Sequence, residues 1–323
     1  MRRLALLVAL VLALAPYARA GGAREVAVTI DDLPQNGRDY GLERMKHMTA
    51  RLVHAVAAHR VPAVAFVNEA QLYVPGEVDA RVALLDEWLS AGIELGNHTF
   101  SHKAFGSVTL ARYEDEVIRG ETVTRMLAER RHLPVRYFRH PYLDTGPNLE
   151  TSTAFETFLA ARGYTVAPVT IDPADWMFAA VYAEAVDHRD KKEMRRIADA
   201  YLQYADAAVT YGETFSQTLF GRPIRHVLLL HASELNADYF DELAAIFERR
   251  GYAFVTLGRA LEDEAYRSPN TYARDEGTTW LNRWALTRGT TGPTPEPSPP
   301  EWVSQAYDTV TASAPARIPG SRN

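Results

Sequence analysis

The chain has 323 residues, 47% apolar and 24% charged, with a formal charge of −6 and no cysteine. This is the balance of a soluble globular protein with material for a full core. It excludes disulfides, thiolate metal sites, a cysteine nucleophile and a lipidated cysteine, and no basic block is long enough to suggest a nucleic-acid surface.

Residues 1–20 read as a secretory signal peptide. Arg2 and Arg3 give a positive start, Leu4 to Leu14 an apolar run, and Ala18-Arg19-Ala20 a small-x-small cleavage site. The run is too short for a permanent membrane anchor. An exported protein, periplasmic or extracellular, is expected.

From residue 25 to about 263, strand-like and helix-period runs alternate. The strand candidates are Glu25–Ile30, Ala63–Val67, Ile93–Leu95, Val135–Phe138, Tyr164–Val169, His226–Leu230 and Ala253–Val255. Helix periods cover Leu42–His59, Val78–Ala91, Leu110–Arg131 and Tyr239–Arg249. Gly92, Gly163 and Gly251 each fall where a left-handed helix cap precedes a strand. Such alternation implies parallel pairing, hence an α/β barrel or a doubly wound sheet. The Ala- and Tyr-rich stretch 177–225 reads as one or two helices inserted between strands. Residues 288–323, dominated at first by Thr, Gly, Pro and Ser, read as a disordered tail. That leaves 21–287 as a single folded domain.

Polar residues gather at the strand ends. Asp31 and Asp32 follow the first strand, His98 and His102 the third, and Asp172 and Asp175 the fifth; Arg139 and His231 end the fourth and sixth. In a parallel barrel these are C-terminal strand ends, the face on which active sites are built. Read singly, the motifs are ordinary: a turn or cap at Asp31-Asp32, a surface turn at Arg139–Tyr142, a turn before a core tryptophan at Asp172–Trp176, a core histidine at 231. Their convergence is what points to chemistry. One carboxylate can bind a cation while its neighbour accepts a proton. His98 and His102, four apart, would share a face on one helical turn. With Asp32 they make a two-nitrogen, one-oxygen donor set with a position left open, the composition of a catalytic metal site.

Five motifs in this order resemble the polysaccharide deacetylases of carbohydrate esterase family 4: Thr29–Pro34, His98–His102, Arg139–Tyr142, Asp172–Trp176 and Leu229–His231. The resemblance spans residues 26 to about 260 and implies a distorted (β/α) barrel of about seven parallel strands. It implies that Asp32, His98 and His102 hold a divalent metal, Zn²⁺ first, with Co²⁺, Ni²⁺ or Mn²⁺ as alternatives. Asp31 is then the general base, Arg139 its partner, His231 the general acid and Asp175 the group that orients it. The Tyr142 backbone N–H would stabilise the oxyanion, and Trp176 and Leu229 would wall the acetyl pocket. The expected substrate is an acetylated glycan of peptidoglycan or chitooligosaccharide type, N-acetyl or O-acetyl, met by a monomer. A barrel amidohydrolase acting on non-sugar amides and an inactive carbohydrate-binding relative are the alternatives.

Two positions depart from the family pattern. Leu33 and Leu143 each stand where glycine is usual. Leu33 is expected to stiffen the backbone beside the base and add bulk to the pocket floor.

Overall fold

The computed structural model describes residues 24–274 and 277–313. Seven parallel strands lie within one to three residues of the runs read from sequence: β1 Arg24–Leu33, β2 Val64–Val67, β3 Glu94–Asn97, β4 Tyr137–Phe138, β5 Thr165–Val166, β6 His226–His231 and β7 Tyr252–Phe254. Their order is β5-β4-β3-β2-β1-β6, with β7 pairing the first residues of β1. The run beyond β5 then returns to β6. Ile171 N–H donates to Val227 O at 3.1 Å, and Leu229 N–H donates to Ile171 O at 3.0 Å. The sheet therefore curls on itself as a distorted (β/α) barrel.

Among the described residues eleven helices surround it: α1 Leu42–Ala58, α2 Val78–Ser90, α3 Leu110–Arg119, α4 Thr122–Glu129, α5 Leu149–Ala161, α6 Asp175–Asp187, α7 Lys191–Phe220, α8 Glu234–Arg249, α9 Leu257–Leu261, α10 Trp280–Thr287 and α11 Glu301–Ser313. Alternation along β1 divides the core. Val26, Val28 and Ile30 pack outward with Leu52, Trp88, Phe178 and Phe247, while Ala27 joins Val64, Phe66, Tyr137 and Val227 in a separate cluster. Buried on both faces, Val26–Ile30 is apolar but for Thr29, as parallel strands largely are.

Two expectations need correction. The helical period over 110–131 is two helices, α3 and α4, parted at Gly120. A Cβ there would stand 2.6 Å from the Thr99 carbonyl carbon, so the helix ends where it meets the histidine loop. The stretch 177–225, read as one or two helices, holds two: most of α6 and the 30-residue α7. The 288–323 tail is not disordered over its described part. Glu301–Ser313 is the helix α11, with Val303 fully buried in the main apolar cluster against α6. Packing on α6, rather than the weak helix propensity of its Thr, Val and Ser residues, supports it. Residues 1–20, the expected signal peptide, lie outside the described residues. Among the described residues no helix is long and apolar enough to cross a membrane.

Candidate active site and metal centre

Strand register sets the site at one level. Asp31 pairs with His231, Leu33 with Val67, Val67 with Asn97, and Asn97 with Phe138. The residues expected at strand ends thus share one rim, although β1 runs through the carboxylate pair rather than ending before it. Neighbours on a regular strand point to opposite faces, yet both carboxylates approach the same imidazole: His98 Nε2 is 3.7 Å from Asp31 Oδ2 and 3.4 Å from Asp32 Oδ1. A register shift between Ile30 and Leu33, with Asp32 at φ 66, turns the second carboxylate to the side of the first. The same shift sends Leu33 into the main apolar cluster, fully buried. Leu33 is core, and the expectation that it forms the pocket floor is wrong.

His98 and His102 do not share a helical turn. They lie on a non-helical loop with Thr99 and His102 at φ 66 and 54. Asn68 Nδ2 donates to His98 O at 2.5 Å, Asn97 Oδ1 accepts from Thr99 N–H at 2.8 Å, and Glu116 Oε2 accepts from both Ser101 N–H and Oγ–H. Of nine described non-glycine residues with positive φ, six surround this site: Asp32, Thr99, His102, Tyr142, Leu143 and Ala174. Strain of that kind persists only where neighbours enforce it, and it collects at functional sites.

One ligand atom from each of Asp32, His98 and His102 lies within 4.8 Å of the others. His98 Nδ1, 2.8 Å from the Arg139 carbonyl oxygen, can only donate to it, so in the neutral ring Nε2 carries the lone pair. That lone pair faces Asp32 Oδ1, as does His102 Nε2 at 3.2 Å, and Asp32 Oδ1 accepts no hydrogen bond. Burial, then the neighbouring His102, holds the His98 pKa well below its usual range. Burial opposes the charge on Asp32, but His102, His98 and His231, with a 2.6 Å hydrogen bond from Asn36, keep its carboxyl well below the usual range. Buried acceptors turned toward one another call for a cation, and the two-nitrogen, one-oxygen set fits a divalent ion.

Arg139 is fully buried. It donates to Ala167 O and Thr29 Oγ1, each at 2.8 Å, and to Asp31 Oδ2 at 3.3 Å. Asp31 Oδ1 has no hydrogen-bond partner. Burial raises the Asp31 pKa to about 6 against the pull of Arg139 and His231. A buried carboxylate with one oxygen held and the other unengaged is suited to accept a proton.

Across the rim, His231 Nδ1 lies 2.8 Å from Asp175 Oδ1, whose other oxygen accepts from His231 N–H at 2.7 Å and from Asn236 Nδ2 at 2.6 Å. Tyr201 Oη donates to Asn236 Oδ1 at 2.9 Å. Burial works against the His231 charge, but Asp175, with Asp32 and Asp31 behind it, raises its pKa to about 10. The charged ring therefore stabilises the fold fully below its ordinary pKa of 6.5, and that contribution is lost as pH rises through about 10. Asp175→Asn should move the His231 titration down toward 6.5, read from its imidazole proton shifts. An unchanged titration would remove Asp175 as the source.

The remaining expected residues divide. The Tyr142 ring is exposed and packs edge-on against His102, centroids 4.5 Å apart. Trp176, at the start of α6, is covered edge-on by Tyr307 of α11 at 5.1 Å. Leu229 is buried with Leu143, Trp280, Leu281 and Trp284, so part of its surroundings comes from α10. Sequence reading missed Asn36, Asn236, Tyr201 and Glu116. Only Asn36 and Asn236, four and five residues beyond Asp32 and His231, lay close enough in sequence to be suspected.

Residues 18–158 match the family model for polysaccharide deacetylase; Asp175 and His231 fall beyond it. The polysaccharide deacetylase of Bacillus cereus superposes with TM-score 0.50 at 19% identity, over 72% of this chain and 91% of its own. This is a likeness of fold. The peptidoglycan deacetylase of Bacillus subtilis gives 0.48 at 19% identity, over 76% of this chain and 94% of its own. A pseudoenzyme of carbohydrate esterase family 4 from Bacillus anthracis gives 0.48 at 17%, over 74% of this chain and 66% of its own. The matched stretch contains Asp31, Asp32, His98, His102, Arg139 and Tyr142, so six of the ten residues expected at the site lie within the similarity to polysaccharide deacetylases.

Proposed function

We propose that the protein is an exported, metal-dependent deacetylase that hydrolyses N-acetyl groups, with O-acetyl second, on a glycan of peptidoglycan or chitooligosaccharide type. The observation that carries this is the Asp32–His98–His102 cluster beside a buried carboxylate with one unengaged oxygen, Asp31, whose strand partner is a mostly covered, carboxylate-paired histidine, His231. Asp32, His98 and His102 would hold the ion, Zn²⁺ by donor chemistry. Bound there, it supplies Lewis acidity toward the acyl carbonyl and the attacking water.

The protein's own groups do the rest. Asp31 Oδ1 takes the proton of the attacking water while Arg139 holds Oδ2. The pKa near 6 leaves Asp31 ionised at neutral pH yet more basic than an ordinary carboxylate. The Tyr142 N–H lies on the turn beside His102 and is assigned to the developing oxyanion. His231, protonated through neutral pH, gives its Nε2 proton to the departing amine, and Asp175 fixes the ring by Nδ1. Products are acetate and a free amine.

Incubation with acetylated chitooligosaccharides and peptidoglycan, with acetate assayed, tests the reading. Release is expected; glycan binding without release would favour an inactive relative. His231→Ala should slow amide hydrolysis by roughly 10²–10⁴-fold and hydrolysis of an activated acetyl ester far less, since a good leaving group needs no acid. Equal losses on both would contradict the acid assignment.

A further inference from the structure

The turn that carries Tyr142 is held by a part of the chain more than 130 residues away. Tyr142 and Leu143 are consecutive non-glycine residues in the left-handed region, φ 57 and 54. L-residues do not keep that conformation in sequence unless surroundings impose it. The imposing group is Arg283 on α10, fully buried. Its Nη1 donates to Thr145 Oγ1 at 2.7 Å, its Nη2 donates to the Leu143 carbonyl oxygen, and its Nε donates to Thr278 O at 3.0 Å. The guanidinium also lies 4.6 Å from the ring centroids of both Tyr272 and Trp280.

Gly277 lies against the same turn. A Cβ there would collide with the Tyr142 carbonyl oxygen and stand 2.8 Å from the Leu143 carbonyl carbon. The segment is anchored in turn: Trp280 N–H donates to Val169 O at 2.7 Å, and Leu281 and Trp284 pack with Leu143 and Leu229. The Tyr142 ring rests on His102, so the turn borders the metal-ligand cluster without contributing a ligand to it.

We propose that Arg283 is a positioning residue of the active site, setting the Tyr142–Leu143 peptide in its left-handed turn so that residues 277–287 complete the oxyanion side of the cleft. Its effect on turnover rests on the deacetylase reading above; the clamp itself does not. The fork geometry of a guanidinium suits the task, since it reaches a carbonyl and a hydroxyl at once from a fixed plane.

The test is Arg283→Met, which keeps the apolar stem and removes the donors, in the metal-loaded full chain. Three readouts are compared with the parent protein: metal stoichiometry, amide hydrogen exchange over 141–145, and kcat against KM on an acetylated oligosaccharide. We expect unchanged metal content and faster exchange at Leu143 and Asp144, whose N–H groups donate to His140 O and Pro141 O. We expect kcat to fall by roughly 10- to 100-fold with KM within about threefold, as a misplaced oxyanion donor produces. If Arg283→Met does not fold, Thr145→Val removes one acceptor of the clamp and should show the same exchange pattern more weakly. Native exchange and native kcat in a folded variant, or a loss confined to melting temperature, would overturn the proposal. If the parent protein itself releases no acetate, the deacetylase reading fails while the exchange readout still decides the clamp.

Discussion

Asp31→Asn protein is expected to retain its metal and lose roughly 10²–10⁴-fold in kcat, the usual worth of a positioned base. The substitution keeps the side-chain shape, and the amide oxygen can still accept from Arg139. What disappears is the basic lone pair on the oxygen that has no partner. Metal content by elemental analysis and turnover by acetate release separate the two effects. Near-native turnover in Asp31→Asn would remove Asp31 from the role of base.

His98→Ala should cost the metal itself. Partners that merely orient a ligand are worth roughly 10- to 100-fold in affinity, so loss of a ligand should exceed that, and acetate release should fall with it. The variant also leaves the Arg139 carbonyl oxygen without its imidazole partner and opens a buried void, so some stability is lost as well. His102 is less buried and its ring bears no such bond to Arg139. His102→Ala should therefore show the metal loss with a smaller change in melting temperature. Unchanged metal content in either variant would refute its assignment as a ligand.

The barrel was legible because its strands fall in short β-branched or apolar runs, some announced by a left-handed glycine at the end of the preceding helix, as at Gly92 before β3 and Gly251 before β7. The candidate site was legible as a set of strand-end motifs but not as geometry. Nothing in Asp31-Asp32 reveals that a register shift turns both carboxylates the same way, or that Leu33 then points into the core. The four-residue histidine spacing suggested a helical face, whereas two left-handed residues on a loop do the work, held by Asn68, Asn97 and Glu116. Asn68 and Glu116 act across 15 to 31 residues, a range at which periodicity carries no information. The helix α11 escaped for a related reason: the Pro- and Thr-rich run before it reads as loop, and its stability comes from burying Val303 and covering Trp176 with Tyr307.

The most direct test of the account is acetate release from an N-acetylated chitooligosaccharide by chelator-stripped protein before and after adding back Zn²⁺. The account predicts no release from the stripped protein and recovery at one ion per chain, with neither seen in His98→Ala. Full activity in stripped protein, or none after metal return at one ion per chain, would contradict it.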